Sequence, residues 1–180
     1  MRRLIVVCVA VLALAVVYKS FLGEETGTGT LTLAAPEPNV GSPARTFTAR
    51  NTEGDDFELT EDGVYVLAFW STLNQNSNES RSGFLKVANE YGDEASFAVV
   101  YVNGARNDED APYERLHDPT GRLASRYNVK RVPRTFVVRD GVVTWALDSY
   151  YDGYDDDLEQ KVEEAIAGKQ ADRQTAQSGD

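Results

Sequence analysis

The pattern of apolar and polar positions divides the chain into an apolar leader, a central block of alternating short apolar runs and amphipathic stretches, and a polar end. "VYVLAFW", Val64 to Trp70, is a continuous apolar run of strand length rich in β-branched and aromatic residues, the pattern of a strand buried on both faces. After it, Phe84, Val87, Ala88 and Tyr91 recur at helical spacing, which predicts an amphipathic helix over Gln75 to Tyr91 with Asn74 at its cap. "SFAVVYV", Ser96 to Val102, reads as a second buried strand, and strand, helix, strand in that order implies a parallel crossover.

Weaker signals fill in the rest of the block. Thr46 to Arg50 and Phe57 to Leu59 flank "NTEGDD", two short extended pieces around a turn. The acidic connection after Val102 predicts one helical turn around Tyr113 to Leu116, and "GRLASRYNV" a short helix. "RTFVV" and "VVTWAL" are strands joined through Asp140-Gly141, a tight hairpin pair. Leu158, Val162, Ala165 and Ile166 give one face of a last helix, with Asp155, Asp156 and Asp157 where its N-terminal dipole favours negative charge. The alternation predicts an α/β fold: a central mixed sheet with helices on both faces.

The leader, "MRRLIVVCVAVLALAVVYKSFLG", carries Arg2 and Arg3 ahead of an uncharged run from Leu4 to Tyr18. The positive-inside rule keeps the two arginines cytoplasmic and sends the rest of the chain outward. The run is short for a spanning helix of ~20 residues, but Lys19 can snorkel while Phe21 and Leu22 extend the apolar stretch. Residues 1–22 are therefore expected to form a signal-anchor, with a signal peptide cleaved near Ala13-Leu14-Ala15 as the alternative. Residues 23–41, rich in Gly, Thr and Pro, read as a linker, 42–167 as the folded domain, and 168–180 as a disordered polar tail.

Composition narrows the chemistry. The formal net charge of −11 argues against a nucleic-acid partner, because phosphate binding needs a basic face. Cys8 is the only cysteine and lies inside the apolar leader, so an intramolecular disulfide, a Cys-based metal site and a two-thiol redox cycle within one chain are all excluded. Val7 is too bulky for lipid attachment at Cys8, which reads as one more apolar residue of the segment. "SYYDGYDDD" crowds oxygen ligands but lacks the spacing of a calcium loop, and acids ahead of a helix already have a capping explanation. No metal or cofactor is implied.

Between Gly41 and Gly168 the chain resembles thioredoxin-like domains, and within them the exported, membrane-tethered TlpA-like and redoxin (thiol-specific antioxidant) branch. The resemblance rests on "GSPARTFTARNTEGDDFEL", "VYVLAFWST" and above all "DPTGRLASRYNVKRVPRTFVVRDGVV". In that last stretch Asp118, Gly121, Tyr127, Val129, Val132, Pro133, Thr135, Phe136, Asp140 and Gly141 fit the family pattern. The resemblance implies a three-layer thioredoxin-like sandwich and a cis Val132-Pro133 bond, beside which the family holds an extended client peptide. Where the family carries W-C-x-x-C, this chain has Leu73-Asn74-Gln75-Asn76-Ser77, so both thiol positions are replaced.

An Asn amide is no substitute for a thiolate, and Ser77 needs a base that His117, the only histidine, is not placed to supply. Asn74 and Ser77 suit the turn as caps for orphan helix N–H groups. Lys130, Arg131, Arg134 and Arg139 form the densest basic stretch, and Arg134 is expected to converge with the helix N-terminus on an anionic group unless it merely pairs with Asp118 or Asp140. The sequence thus predicts a tethered extracytoplasmic module without dithiol activity. It would bind a protein or peptide client through Trp70, Asn74, Gln75, Ser77, Val132, Pro133 and Arg134. Two alternatives stand beside it: a thiol-disulfide oxidoreductase or redoxin relying on a partner's thiols, and a structural domain that uses another face.

Overall fold

The computed structural model describes residues 38–104 and 110–178; the leader and most of the linker lie outside the described residues. The element order is β1 (Phe47–Arg50), β2 (Asp56–Leu59), β3 (Val64–Trp70), α1 (Gln75–Tyr91), β4 (Ser96–Tyr101), β5 (Glu114–His117), α2 (Arg122–Arg126), β6 (Arg134–Arg139), β7 (Val142–Leu147) and α3 (Tyr154–Ser178). β1 and β2 form an antiparallel hairpin, and the other strands form a five-stranded mixed sheet in the order β5-β4-β3-β6-β7. β3 pairs parallel to β4 and antiparallel to β6, so the longest apolar run is the middle strand.

Burial on both faces explains why β3 has no polar alternation. Val64, Val66, Ala68 and Trp70 turn to a core shared with Phe84, Val87 and Ala88 of α1 and Leu158, Val162 and Ala165 of α3. Tyr65, Leu67 and Phe69 turn to the opposite core, closed by Phe47, Phe57 and Leu59 of the hairpin and by Tyr127, with Leu123 and Ala124 of α2 packed against it. The result is the three-layer sandwich the alternation predicts. Asp140 and Gly141 both take positive φ, 47° and 73°, the geometry that lets the β6–β7 hairpin reverse in two residues.

Two expectations are corrected. Residues 114–117 are a strand rather than a helical turn: β5 pairs parallel with β4 and covers what would be an open sheet edge. Its polar composition hid it, because its charges are satisfied from the β1–β2 loop. Asn51 Nδ2 donates to Glu114 at 2.7 Å, and the guanidinium of Arg115, buried, pairs with Glu53.

The polar end is likewise not a disordered tail from Gly168, since α3 continues to Ser178. No breaker follows Gly168, and Lys169 is held by the carboxylates of Asp62 and Asp140. Burial works against the Lys169 charge, but hydrogen bonds to both carboxylates outweigh it and raise its pKa above the ordinary lysine value.

Candidate functional site

The C-terminal end of β3 delivers the chain into the turn Ser71-Thr72-Leu73 and then into α1. Asn74 keeps extended backbone geometry, φ −103° and ψ 123°, while its carbonyl accepts the first helical bond from Asn78 N–H at 3.2 Å. That is the N-cap position, and its side chain does the capping: Oδ1 accepts from Ser77 N–H at 2.9 Å and from the Ser77 hydroxyl at 3.2 Å. Ser77 Oγ in turn accepts from Ser71 N–H at 3.3 Å. Ser77 is 2% exposed and both its donor and acceptor capacities are engaged within the turn. His117 is exposed on β5, in register with Tyr101, and no hydrogen bond links it to Ser77. Ser77 is therefore engaged as part of the cap, and His117 is not its hydrogen-bond partner.

Gln75 lies on the solvent side of α1 and donates to Glu79 at 2.7 Å, a helix-surface pair rather than a group aimed at the turn. Trp70 is not a rim residue either. It is 2% exposed and packs edge-on against Phe84 (5.1 Å between ring centroids) and Tyr113 (6.0 Å), with Nε1 buried and unpartnered. Trp70 shares with Ser71, Thr72, Ser77, Asn78, Arg81 and Tyr101 a cavity of about 10 Å³. That is room for about one water and for no ligand.

Facing this turn across the sheet end is the start of β6. Phe69 and Arg134 are register partners, so Pro133 sits level with the exit of β3; the Val132-Pro133 peptide bond is cis. Val132 is half-buried and Pro133 buried.

Arg134 does not converge on the α1 N-terminus. Its guanidinium pairs with Asp148 at 2.9 Å and lies 4.8 Å from the centroid of the Phe136 ring. Its side chain is only 12% exposed, and its Nε is buried without a partner. Neither Asp118 nor Asp140 is its partner. The Asp118 carboxylate accepts from Arg122 N–H (2.8 Å) and Ala124 N–H (2.9 Å) and so caps α2. The Asp140 carboxylate holds Lys169. Next to Arg134, the Thr135 hydroxyl shares a 3.1 Å hydrogen bond with Tyr154, whose phenol is pushed well above its ordinary pKa by burial.

Leu73 is the site residue that sequence reasoning missed. It stands at the tip of the turn and is 85% exposed, the most exposed of the large apolar side chains described. Its signal was there: one apolar residue in the otherwise polar "STLNQNSNES". Larger hollows lie elsewhere. One of about 390 Å³ is bordered by Gly63 to Tyr65 at the opposite end of β3, and one of about 410 Å³ by Ser96, Phe97 and Tyr113.

No protein-family model matches the chain, and no curated protein matches its sequence. Solved structures do match its fold. A thiol:disulfide interchange protein of the thioredoxin family from Chlorobium tepidum superposes with a TM-score of 0.60 at 17% identity, covering 72% of this chain and 99% of its own. The exposed lipoprotein thioredoxin Etrx1 of Streptococcus pneumoniae gives 0.56 at 19% identity, over 67% of this chain and 99% of its own. A secreted Mycobacterium tuberculosis disulfide oxidoreductase homologous to DsbE gives 0.52 at 22% identity, over 64% and 93%. At these identities the likeness establishes the fold alone: the described domain has the thioredoxin-like architecture of these structures.

Proposed function

We propose that this chain is a membrane-tethered, extracytoplasmic thioredoxin-like module that binds a protein or peptide client beside Leu73, Asn74, Val132 and Pro133 without dithiol chemistry of its own. One observation carries the reading: Asn74 and Ser77, which the sequence resemblance sets at the family's two thiol positions, hydrogen-bond to each other and cap the α1 N-terminus. With that cap in place and Cys8 the only cysteine, the turn keeps its shape and has no group to exchange with a disulfide. A partner bound at this turn would cover Leu73, 85% exposed, and remove its apolar surface from water. The tether rests on the apolar run after Arg2 and Arg3.

The similar solved structures favour a second reading, in which the domain takes part in thiol-disulfide exchange using a partner's thiols. One experiment separates the two. In a Cys8→Ala background, Asn74→Cys with Ser77 retained supplies one thiolate, which attacks a client disulfide, forms a mixed disulfide and releases one client thiolate. With no second thiol the adduct persists. A defined adduct in native membranes, together with no acceleration by the wild type of insulin reduction by dithiothreitol, is the expected result. Acceleration by the wild type would overturn the binding-only reading, and absence of any adduct from the folded variant would overturn the client cleft.

A further inference from the structure

Between Asp118 and Asp140 the chain places six of its 18 Lys and Arg residues and none of its 29 Asp and Glu residues. Arg134 and Arg139 are engaged, with Asp148 and Asp172. The other four, Arg122, Arg126, Lys130 and Arg131, are exposed, and none makes an ion pair with another described residue. Arg122 and Arg126 lie four residues apart on α2, hence on one face. Asn128 N–H to Ser125 (3.0 Å) and Val129 N–H to Ala124 (2.8 Å) fold the following loop back on α2, which keeps the chain close to that helix just before Lys130 and Arg131 lead into Val132 and Pro133. The nearest preceding carboxylate, Asp118, is 4% exposed, with its oxygens bonded to backbone N–H groups of α2.

An uncompensated quartet is unexpected on a chain of net charge −11, where solubility is already supplied by the acids. Resting on the client-binding reading above, we infer that Arg122, Arg126, Lys130 and Arg131 dock an acidic segment of the partner protein, which then runs past Pro133 to Leu73. Screening over about 8 Å at physiological salt lets a narrow acidic strand feel this patch alone. A broad anionic surface such as a bilayer must also approach the rest of a chain whose net charge is −11, which repels it.

The test uses the full chain in uncharged detergent micelles, with fluorescein-labelled decaglutamate as the probe and decalysine as control. Decaglutamate is expected to bind by fluorescence anisotropy, and raising salt from about 50 to about 500 mM to weaken it at least tenfold. The Arg122→Gln/Arg126→Gln/Lys130→Gln/Arg131→Gln variant is expected to weaken it equally. Arg50→Gln/Lys86→Gln/Arg173→Gln, which removes cations elsewhere, is expected to leave it unchanged. Equal binding by the quadruple variant, or none by the wild type, overturns the inference. So does capture of phosphatidylglycerol vesicles that drops in the quadruple variant while the peptide is ignored; both proteins carry the apolar leader, so that difference isolates the patch. If the Asn74→Cys adduct forms equally with and without the quartet, the client cleft stands and this inference falls.

Discussion

Replacing Asn74 by Ala tests whether the turn is held by its cap. Ala removes the acceptor of two hydrogen bonds, from Ser77 N–H at 2.9 Å and from the Ser77 hydroxyl at 3.2 Å. Loss of an Asn N-cap costs about 1 kcal/mol, within a range of about 0.5–2. The Ser77 hydroxyl, 2% exposed, loses its acceptor as well, and an orphaned buried donor adds about 1 kcal/mol or more. The neighbouring cavity of about 10 Å³ admits one water at most, so solvent repairs little of this. The expected loss is about 1.5–3 kcal/mol. For a domain of this size that is a fall of roughly 4–10 °C in Tm. Asn74→Asp keeps the acceptor and adds a negative charge at the helix N-terminus, so it should match or exceed the wild type by up to about 1 kcal/mol. Urea and thermal unfolding followed by circular dichroism measure both, with an unchanged m-value confirming comparable transitions. A loss below about 0.5 kcal/mol for Ala, or an equal loss for Asp, would refute the capping argument.

Four further outcomes are expected. Gly83→Ala should destabilise despite a helix-propensity gain of about 1 kcal/mol: a methyl there would lie 2.7 Å from Asp155 Cβ and 3.3 Å from its Cα, so α1 and α3 must part, at a net cost of about 1–2 kcal/mol by urea unfolding. Burial disfavours the Asp140 carboxylate, but hydrogen bonds from Lys169 and Gly63 N–H and the charges of Lys169 and Arg139 outweigh it and hold its pKa below the ordinary value. Its stabilisation is therefore complete above the unfolded value of about 4 and lost as pH falls through the lower folded one, so Asp140→Asn, which tolerates the positive φ, should be destabilised at pH 7 and converge on the wild type only once pH has fallen below that folded value. Arg134→Met should leave stability within about 1 kcal/mol, because it exchanges an ion pair to an exposed Asp148 and a buried unpartnered Nε for apolar packing; a larger loss by chemical denaturation would show the pair is structural. Asn74→Cys/Ser77→Cys should acquire dithiothreitol-dependent insulin reduction absent from the wild type, since a thiolate at that helix N-terminus is stabilised by the residue-77 N–H that Asn74 now caps and by the helix dipole.

Elements with a strong period were legible. β3 and α1 begin and end where the apolar run and the helical spacing place them, and the Asp140-Gly141 turn follows from residues that accept positive φ. What escaped was decided by tertiary partners. β5 is a strand because β4 lends it a ladder and because Asn51 and Glu53 neutralise its polar side chains, none of which is visible in "ERLH". The end of α3 persists because Lys169 reaches Asp62 and Asp140, residues 107 and 29 positions away.

The same distinction runs through the site. Asn74 and Ser77 were readable as caps because capping is local, its donor and acceptor three residues apart. Arg134 was not readable: its direction is set by register, which brings the residue after β7, Asp148, alongside the start of β6, where Thr135 pairs with Leu147. That pairing changes what the sheet end offers a ligand. Had Arg134 pointed at the α1 N-terminus, the turn would present concentrated positive charge. With Arg134 committed to Asp148 and the Asn74 side-chain Oδ1 accepting from Ser77 N–H, the turn carries no concentrated positive charge, and its most prominent feature is the apolar Leu73. The uncommitted positive charge lies on the α2 side of Pro133 instead, at Arg122, Arg126, Lys130 and Arg131. On the proposed client-binding reading, a partner running from α2 past Pro133 to Leu73 meets two different surfaces in sequence, a cationic one and then an apolar one. Such an order fixes the direction in which the partner chain runs, which a symmetric or uncharged cleft would leave open.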